Sequence, residues 1–184
     1  MGIYLNPENV DFQEVLNSKI YVDKSELIQY TNSVLRTTQK YICVSRPRRF
    51  GKSMAANMLT AYYSRGCDSR ELFQGLKIAT HPDFEKHLNQ YNVIHLNMRD
   101  YLTESENMKQ LIQFVEDDLL DELQQEFSAL RMPRRKTLVK VLEQAFVQYK
   151  IPFVFIIDEW DCIFRVHKSD AVSQKEYLDF LRNL

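Results

Sequence analysis

Apolar and polar positions along the chain fall into two periodicities, and each predicts an element. Residues 1–20 keep neither period and read as irregular. After Tyr21-Val22-Asp23-Lys24, the spacing of Leu27, Ile28 and Val34 predicts a helix over 24–33. Tyr41-Ile42-Cys43-Val44-Ser45 is a short apolar run with β-forming side chains, the pattern of a buried strand. A helix opening at Lys52 or Ser53 then puts Met58, Leu59 and Tyr62 on one face. Gly66 and Gly75 bracket a short acidic and apolar piece, 68–73, and His81-Pro82-Asp83 reads as a helix start with proline in the first turn.

A second strand is predicted at Val93-Ile94-His95-Leu96-Asn97. Leu111, Ile112, Val115, Leu119, Leu123 and Phe127 recur in steps of mostly three and four, which predicts the longest helix over 106–130. Pro133 separates it from a helix over 135–149 whose face carries Leu138, Val141, Leu142 and Phe146. Pro152 introduces Phe153-Val154-Phe155-Ile156-Ile157, the strongest strand signal, closed by Asp158-Glu159-Trp160-Asp161. An amphipathic helix is predicted over 173–184. Strands alternating with helices argue for a parallel sheet covered by helices, an α/β fold in one domain spanning 1–184. Ligands in such sheets bind at the carboxyl ends of the strands, and both unusual polar clusters, 46–53 and 158–161, follow predicted strands.

Composition narrows the function. Lys and Arg number 24 against 25 Asp and Glu, so a globally basic nucleic-acid binder is excluded while a local basic patch is not. Arg131 with Arg134-Arg135-Lys136 is the best such patch, and a solvated helix start is its simpler reading. The longest purely apolar run, 153–157, is far too short to span a membrane, and MGIYLNPENV lacks the basic-then-apolar form of a secretory leader. Cys43, Cys67 and Cys162 are few, far apart and form no C-x-x-C pair, a usage that fits the cytoplasm. His81, His87, His95 and His167 have no zinc-site spacing.

The chemistry concentrates in two places. Gly51-Lys52-Ser53 matches the end of the phosphate-binding loop pattern, although Arg46 stands where that pattern begins with glycine. Glycine lets successive N–H groups face one concavity, lysine brings a point charge to the outer phosphates, and the serine hydroxyl suits Mg²⁺. The alternative is a surface turn with a basic helix start. Asp158-Glu159, directly after an apolar strand, has the form of a Walker B end: the first acid for the metal shell, the second to polarise water. A solvated acidic turn is the alternative there. For Asp23 and Lys24 a helix cap is the simpler explanation, and for Trp160 core packing.

Taken together, Tyr21–Lys24, Ser45-Arg46-Pro47-Arg48-Arg49-Phe50-Gly51-Lys52-Ser53, Met58-Leu59 with Tyr62-Tyr63, Leu72-Phe73 with Gly75-Leu76, and Ile156-Ile157-Asp158-Glu159 resemble the predicted AAA-ATPase-like family of bacteria. That family has S-R-P-R-R-F-G-K-S as its phosphate loop, so Arg46 agrees with it. The resemblance covers nearly the whole chain. It implies a P-loop NTPase-type three-layer αβα fold and Mg²⁺-dependent ATP binding. ATP contacts would come from Pro47, Arg48, Arg49, Phe50, Gly51, Lys52, Ser53 and Met54. Ser53 and Asp158 would hold the metal, and Glu159 would be the catalytic base.

Members of that family commonly carry a C-terminal region resembling a PD-(D/E)xK nuclease; that region is expected to be absent from this chain, and any nucleic-acid partner is expected to act through it. AAA-type sheets also insert a strand, ending in a sensor residue, after the Walker B strand. The residues after Glu159 read as loop plus helix, so the sheet is expected to be incomplete at its C-terminal end, without sensor strand or lid, and ATP hydrolysis is expected to be weak. Self-association is a further expectation from the resemblance. The competing functions are a non-catalytic interaction module and a module whose basic loop contacts nucleic-acid phosphates.

Overall fold

The computed structural model describes residues 2–47 and 49–184; the expectation for Arg48 lies outside the described residues. Two strands, β1 (Asn92–Asn97) and β2 (Phe153–Asp158), pair in parallel with Asn92 beside Phe153 and Asn97 beside Asp158. Ten helices are described: α1 (Val10–Leu16), α2 (Glu26–Val34), α3 (Lys52–Tyr63), α4 (Arg70–Phe73), α5 (Phe84–His87), α6 (Met98–Glu104), α7 (Met108–Glu126), α8 (Leu138–Tyr149), α9 (Cys162–Val166) and α10 (Ala171–Asn183). A 3-10 turn spans Lys77–Thr80.

Side chains on a strand point alternately to its two faces, and each face here meets its own set of helices. Val93 with Val154 and Ile156 packs against Phe12 of α1, Ile28 of α2, and Met58, Ala61 and Tyr62 of α3. Ile94 and Leu96 with Phe153, Phe155 and Ile157 pack against Leu111, Val115, Leu119 and Leu123 of α7, Leu138 and Val141 of α8, Ile163 of α9 and Tyr177 of α10. Helices therefore cover both faces of the sheet, the mixed α/β layering expected of a P-loop αβα fold.

The two strands differ at their outer edges. Residues 4–6 run antiparallel beside β1, with Asn6 N–H donating to the Val93 carbonyl (2.7 Å) and His95 N–H to that of Tyr4 (2.9 Å). The Glu122 carboxylate of α7 accepts from the N–H groups of Ile3, Tyr4 and Leu5 and holds this segment in place. On β2 the outer edge is open, and all six residues are only half-buried.

The largest correction to the sequence reading concerns the segment before the loop. Residues 41–45 are not a buried strand: they lie outside the sheet, with Tyr41 85%, Ile42 39% and Val44 43% exposed. Burying one such side chain is worth about 1.5–3 kcal/mol, but only where a strand partner and a covering layer exist, and no described strand flanks this run. The cluster 46–53 consequently follows an extended segment rather than a strand. Smaller differences have local causes. α1 forms within the stretch read as irregular, its Phe12 buried against Phe73. α6 precedes α7 as a separate helix because Ser105 is extended and Asn107 caps α7. α9 forms in the loop after the acids.

Candidate functional site

α3 begins at Lys52 because Gly51, at φ 73° and ψ 37°, takes the left-handed conformation that only glycine adopts without strain. The first N–H groups of a helix lack intrahelical acceptors. At α6, α7 and α10 a side chain supplies one: Asn97 accepts from Arg99, Asn107 from Gln110, and Asp170 from Ser173. No such cap exists at α3, and among the described residues no acceptor takes the N–H of Gly51, Lys52, Ser53 or Met54. These donors stand at the positive end of the helix dipole, the arrangement that attracts an anion.

A cavity of about 320 Å³ opens in front of them. Pro47, Arg49, Gly51, Lys52, Ser53 and Met54 line it from the loop side, and Arg99 and Glu159 line it from the sheet side. Three cations and one carboxylate thus face the same space, a charge balance suited to a polyanion. Of the predicted loop residues, Pro47, Arg49, Gly51, Lys52, Ser53 and Met54 come together with Glu159. Phe50 is 62% exposed and does not line the cavity, and neither does Asp158. A larger cavity of about 460 Å³, between α6, α7 and α9, shares Arg99 but contains no loop residue, so its size does not make it the site of phosphate chemistry.

Hydrogen bonds already shape the loop. Lys52 Nζ donates to the Arg46 carbonyl at 2.8 Å, and Lys24 Nζ donates to the Phe50 carbonyl at 2.6 Å. Asp23 accepts from Ser25 N–H at 2.8 Å and from Lys77 N–H at 2.9 Å. Burial pushes the Asp23 carboxyl up, but these bonds outweigh it and hold the group below its ordinary value. Asp23 therefore does not cap α2, whose N-cap is Ser25 with no side-chain cap bond; its carboxylate instead ties the turn before α2 to the distant 3-10 turn.

On the other side, Glu159 follows β2 in left-handed backbone, φ 50°, and its N–H donates to the Asp158 carboxylate at 2.8 Å. The Glu159 carboxylate pairs with Arg165 of α9, which also lies 3.6 Å from Asp161. Among the described residues Asp158 has no ion-pair partner, and the exposed Ser53 hydroxyl has no hydrogen-bond partner. Both are oxygen donors of the kind a hard divalent cation takes. His95, beside Ile156 in the register, is held below the ordinary imidazole value by burial, with Asp158 offsetting part of that shift.

Arg99, Arg165 and the loop contact of Lys24 were not found from sequence. Arg99 enters the cavity because the strand register sets Asn97 level with Asp158, so the residues just past both strand ends are neighbours. No motif marks that. Lys24 had a signal, its place in the Tyr21–Lys24 motif, but not a mechanism.

A family model described as Predicted AAA-ATPase matches residues 10–184. No curated protein and no solved structure matches the chain.

Proposed function

We propose that this chain, which belongs to the AAA-ATPase-like family of predicted AAA-ATPases, binds ATP with Mg²⁺ in the cavity between the start of α3 and the end of β2. The observation that carries the reading is the convergence of the four N–H groups of 51–54, which have no acceptor among the described residues, with Arg49, Lys52 and Arg99 on one space that also receives Glu159. The N–H groups of 51–54 would hold phosphate oxygens, and Lys52 would leave the Arg46 carbonyl to reach the outer phosphates. Ser53 and Asp158 would hold Mg²⁺, which when bound neutralises charge on the phosphoryl oxygens. Glu159 is the carboxylate that would polarise a water for attack. Its pairing with Arg165 occupies that carboxylate, so nucleotide binding is the activity this geometry supports best, and hydrolysis depends on Glu159 separating from Arg165.

Affinity for ATP, measured by calorimetry with and without Mg²⁺ on the wild type and Lys52→Ala, tests the proposal. Loss of a charge-assisted contact to phosphate is expected to weaken binding by roughly 10- to 100-fold. Unchanged affinity in Lys52→Ala refutes it. Any turnover is expected to vanish in Glu159→Gln while binding persists. No specific residue contact favours the interaction-module or nucleic-acid readings. Among the described residues no helix is long and apolar enough to cross a membrane.

A further inference from the structure

Lys24 belongs to an N-terminal motif that the nucleotide reading leaves without a task, yet its side chain ends on the phosphate loop. Its Nζ donates to the Phe50 carbonyl at 2.6 Å, and a Cβ placed on Gly51 would fall 2.6 Å from that same nitrogen. Among the described residues Lys24 has no carboxylate partner, so its charge is directed at the loop alone.

The base of the side chain is fixed from the opposite direction. Asp23 spans Ser25 N–H and Lys77 N–H, and Ser25 Oγ accepts from Ile78 N–H at 3.1 Å, tying the turn before α2 to the 3-10 turn. α2 is in turn pinned to α3 by a buried relay. Thr31 Oγ1 lies 2.6 Å from the Tyr63 hydroxyl, which donates to Asn32 Oδ1; Asn32 Nδ2 donates to the Tyr62 hydroxyl, and Tyr62 donates to the Phe84 carbonyl. The helix that Lys24 precedes is thus hydrogen-bonded to the helix that begins at the loop.

We propose that Lys24 is a positioning residue of the phosphate loop, orienting the Phe50–Gly51 peptide so that the loop's N–H groups face the bound phosphates. The peptide is trans, so its N–H points opposite to its C=O. A lysine holding the Phe50 carbonyl on one side leaves the Gly51 N–H directed to the other, beside the donors at the start of α3 that have no acceptor among the described residues. A side chain at position 51 would displace the Lys24 ammonium from this contact. Lys24 also adds a fourth cation close to the site, beside Arg49, Lys52 and Arg99.

This inference rests on the nucleotide reading above, and the test separates the two. ATP affinity in the presence of Mg²⁺ and the melting midpoint of the unliganded protein are measured for wild type, Lys24→Met, Lys24→Arg and Lys52→Ala. Lys24→Met is expected to weaken ATP binding about tenfold, as for a hydrogen bond from a charged donor, while the midpoint falls by no more than about 1–6 °C, the loss of that one exposed bond. Lys24→Arg, which keeps a charged donor, is expected to stay within about threefold of wild type. Wild-type affinity in Lys24→Met, with binding lost in Lys52→Ala, overturns the role of Lys24 and leaves the nucleotide reading standing. Weakened binding that accompanies a matching fall in the midpoint and is not restored by Lys24→Arg also overturns it, because the lysine is then merely structural. Wild-type affinity in Lys52→Ala overturns the nucleotide reading and this one with it.

Discussion

Gly51→Ala separates two costs that coincide at one atom. The backbone at Gly51 is left-handed, φ 73° and ψ 37°, and alanine in that region costs about 1–2 kcal/mol from the contact between Cβ and the following carbonyl. The new Cβ would also lie 2.6 Å from Lys24 Nζ, while Met54 Sδ at 3.4 Å is an ordinary neighbour. Lysine is flexible at that end, so it withdraws and its bond to the Phe50 carbonyl is lost, a further ~0.5–1.5 kcal/mol for an exposed charged donor. Urea unfolding of wild type, Gly51→Ala, Lys24→Ala and the double variant isolates the second cost. Gly51→Ala is expected to lose about 1.5–3.5 kcal/mol in the wild-type background and about 1–2 kcal/mol when Lys24 is already alanine. A loss below about 0.5 kcal/mol in the wild-type background refutes the left-handed strain. Equal losses in both backgrounds refute the competition between the Cβ and Lys24.

Two further outcomes concern the core. Burial lowers the pKa values of His95 and His87, so the unfolded chain takes up protons near the ordinary imidazole value of 6.5 while the folded chain does not; stability is therefore full above that pH and falls below it. Chemical denaturation between pH 7.5 and 5.5 is expected to show a slope of at most about 1.4 kcal/mol per pH unit for each histidine, reduced in His95→Gln, and an unchanged slope in that variant refutes the assignment. Tyr177 is fully buried and its hydroxyl has no partner among the described residues, so Tyr177→Phe is expected to stabilise by about 1 kcal/mol, roughly 2–4 °C in a melting scan; a lower midpoint would show that the hydroxyl is satisfied.

Much of the fold could be read from local pattern. The helical spacing at 111–127 and the apolar run at 153–157 correspond to α7 and β2, and the glycine before Lys52 marks the start of α3 where it was expected. The same reasoning misjudged 41–45, because an apolar, β-forming run states only that a strand is affordable, not that it will pair with an edge. Loop and acid were both recognised as chemistry-bearing, but which of the two acids lines the cavity was not legible in the sequence. Glu159 faces the cavity and Asp158 does not, since left-handed backbone at Glu159 redirects the chain immediately after β2.

The sequence by itself determined what each segment prefers: period, left-handed glycine, apolar strand, and a Gly-Lys-Ser and Asp-Glu pair specific enough to indicate the family. These are short-range properties, fixed by sterics and side-chain polarity within a few residues. Only the tertiary structure decided which groups meet. The register that levels Asn97 with Asp158 brings Arg99 to the cavity, the packing of α9 gives Glu159 to Arg165, and the Asp23 turn delivers Lys24 to Phe50. Each of these encounters joins groups from separate elements, and the packing of the two cores sets their distances.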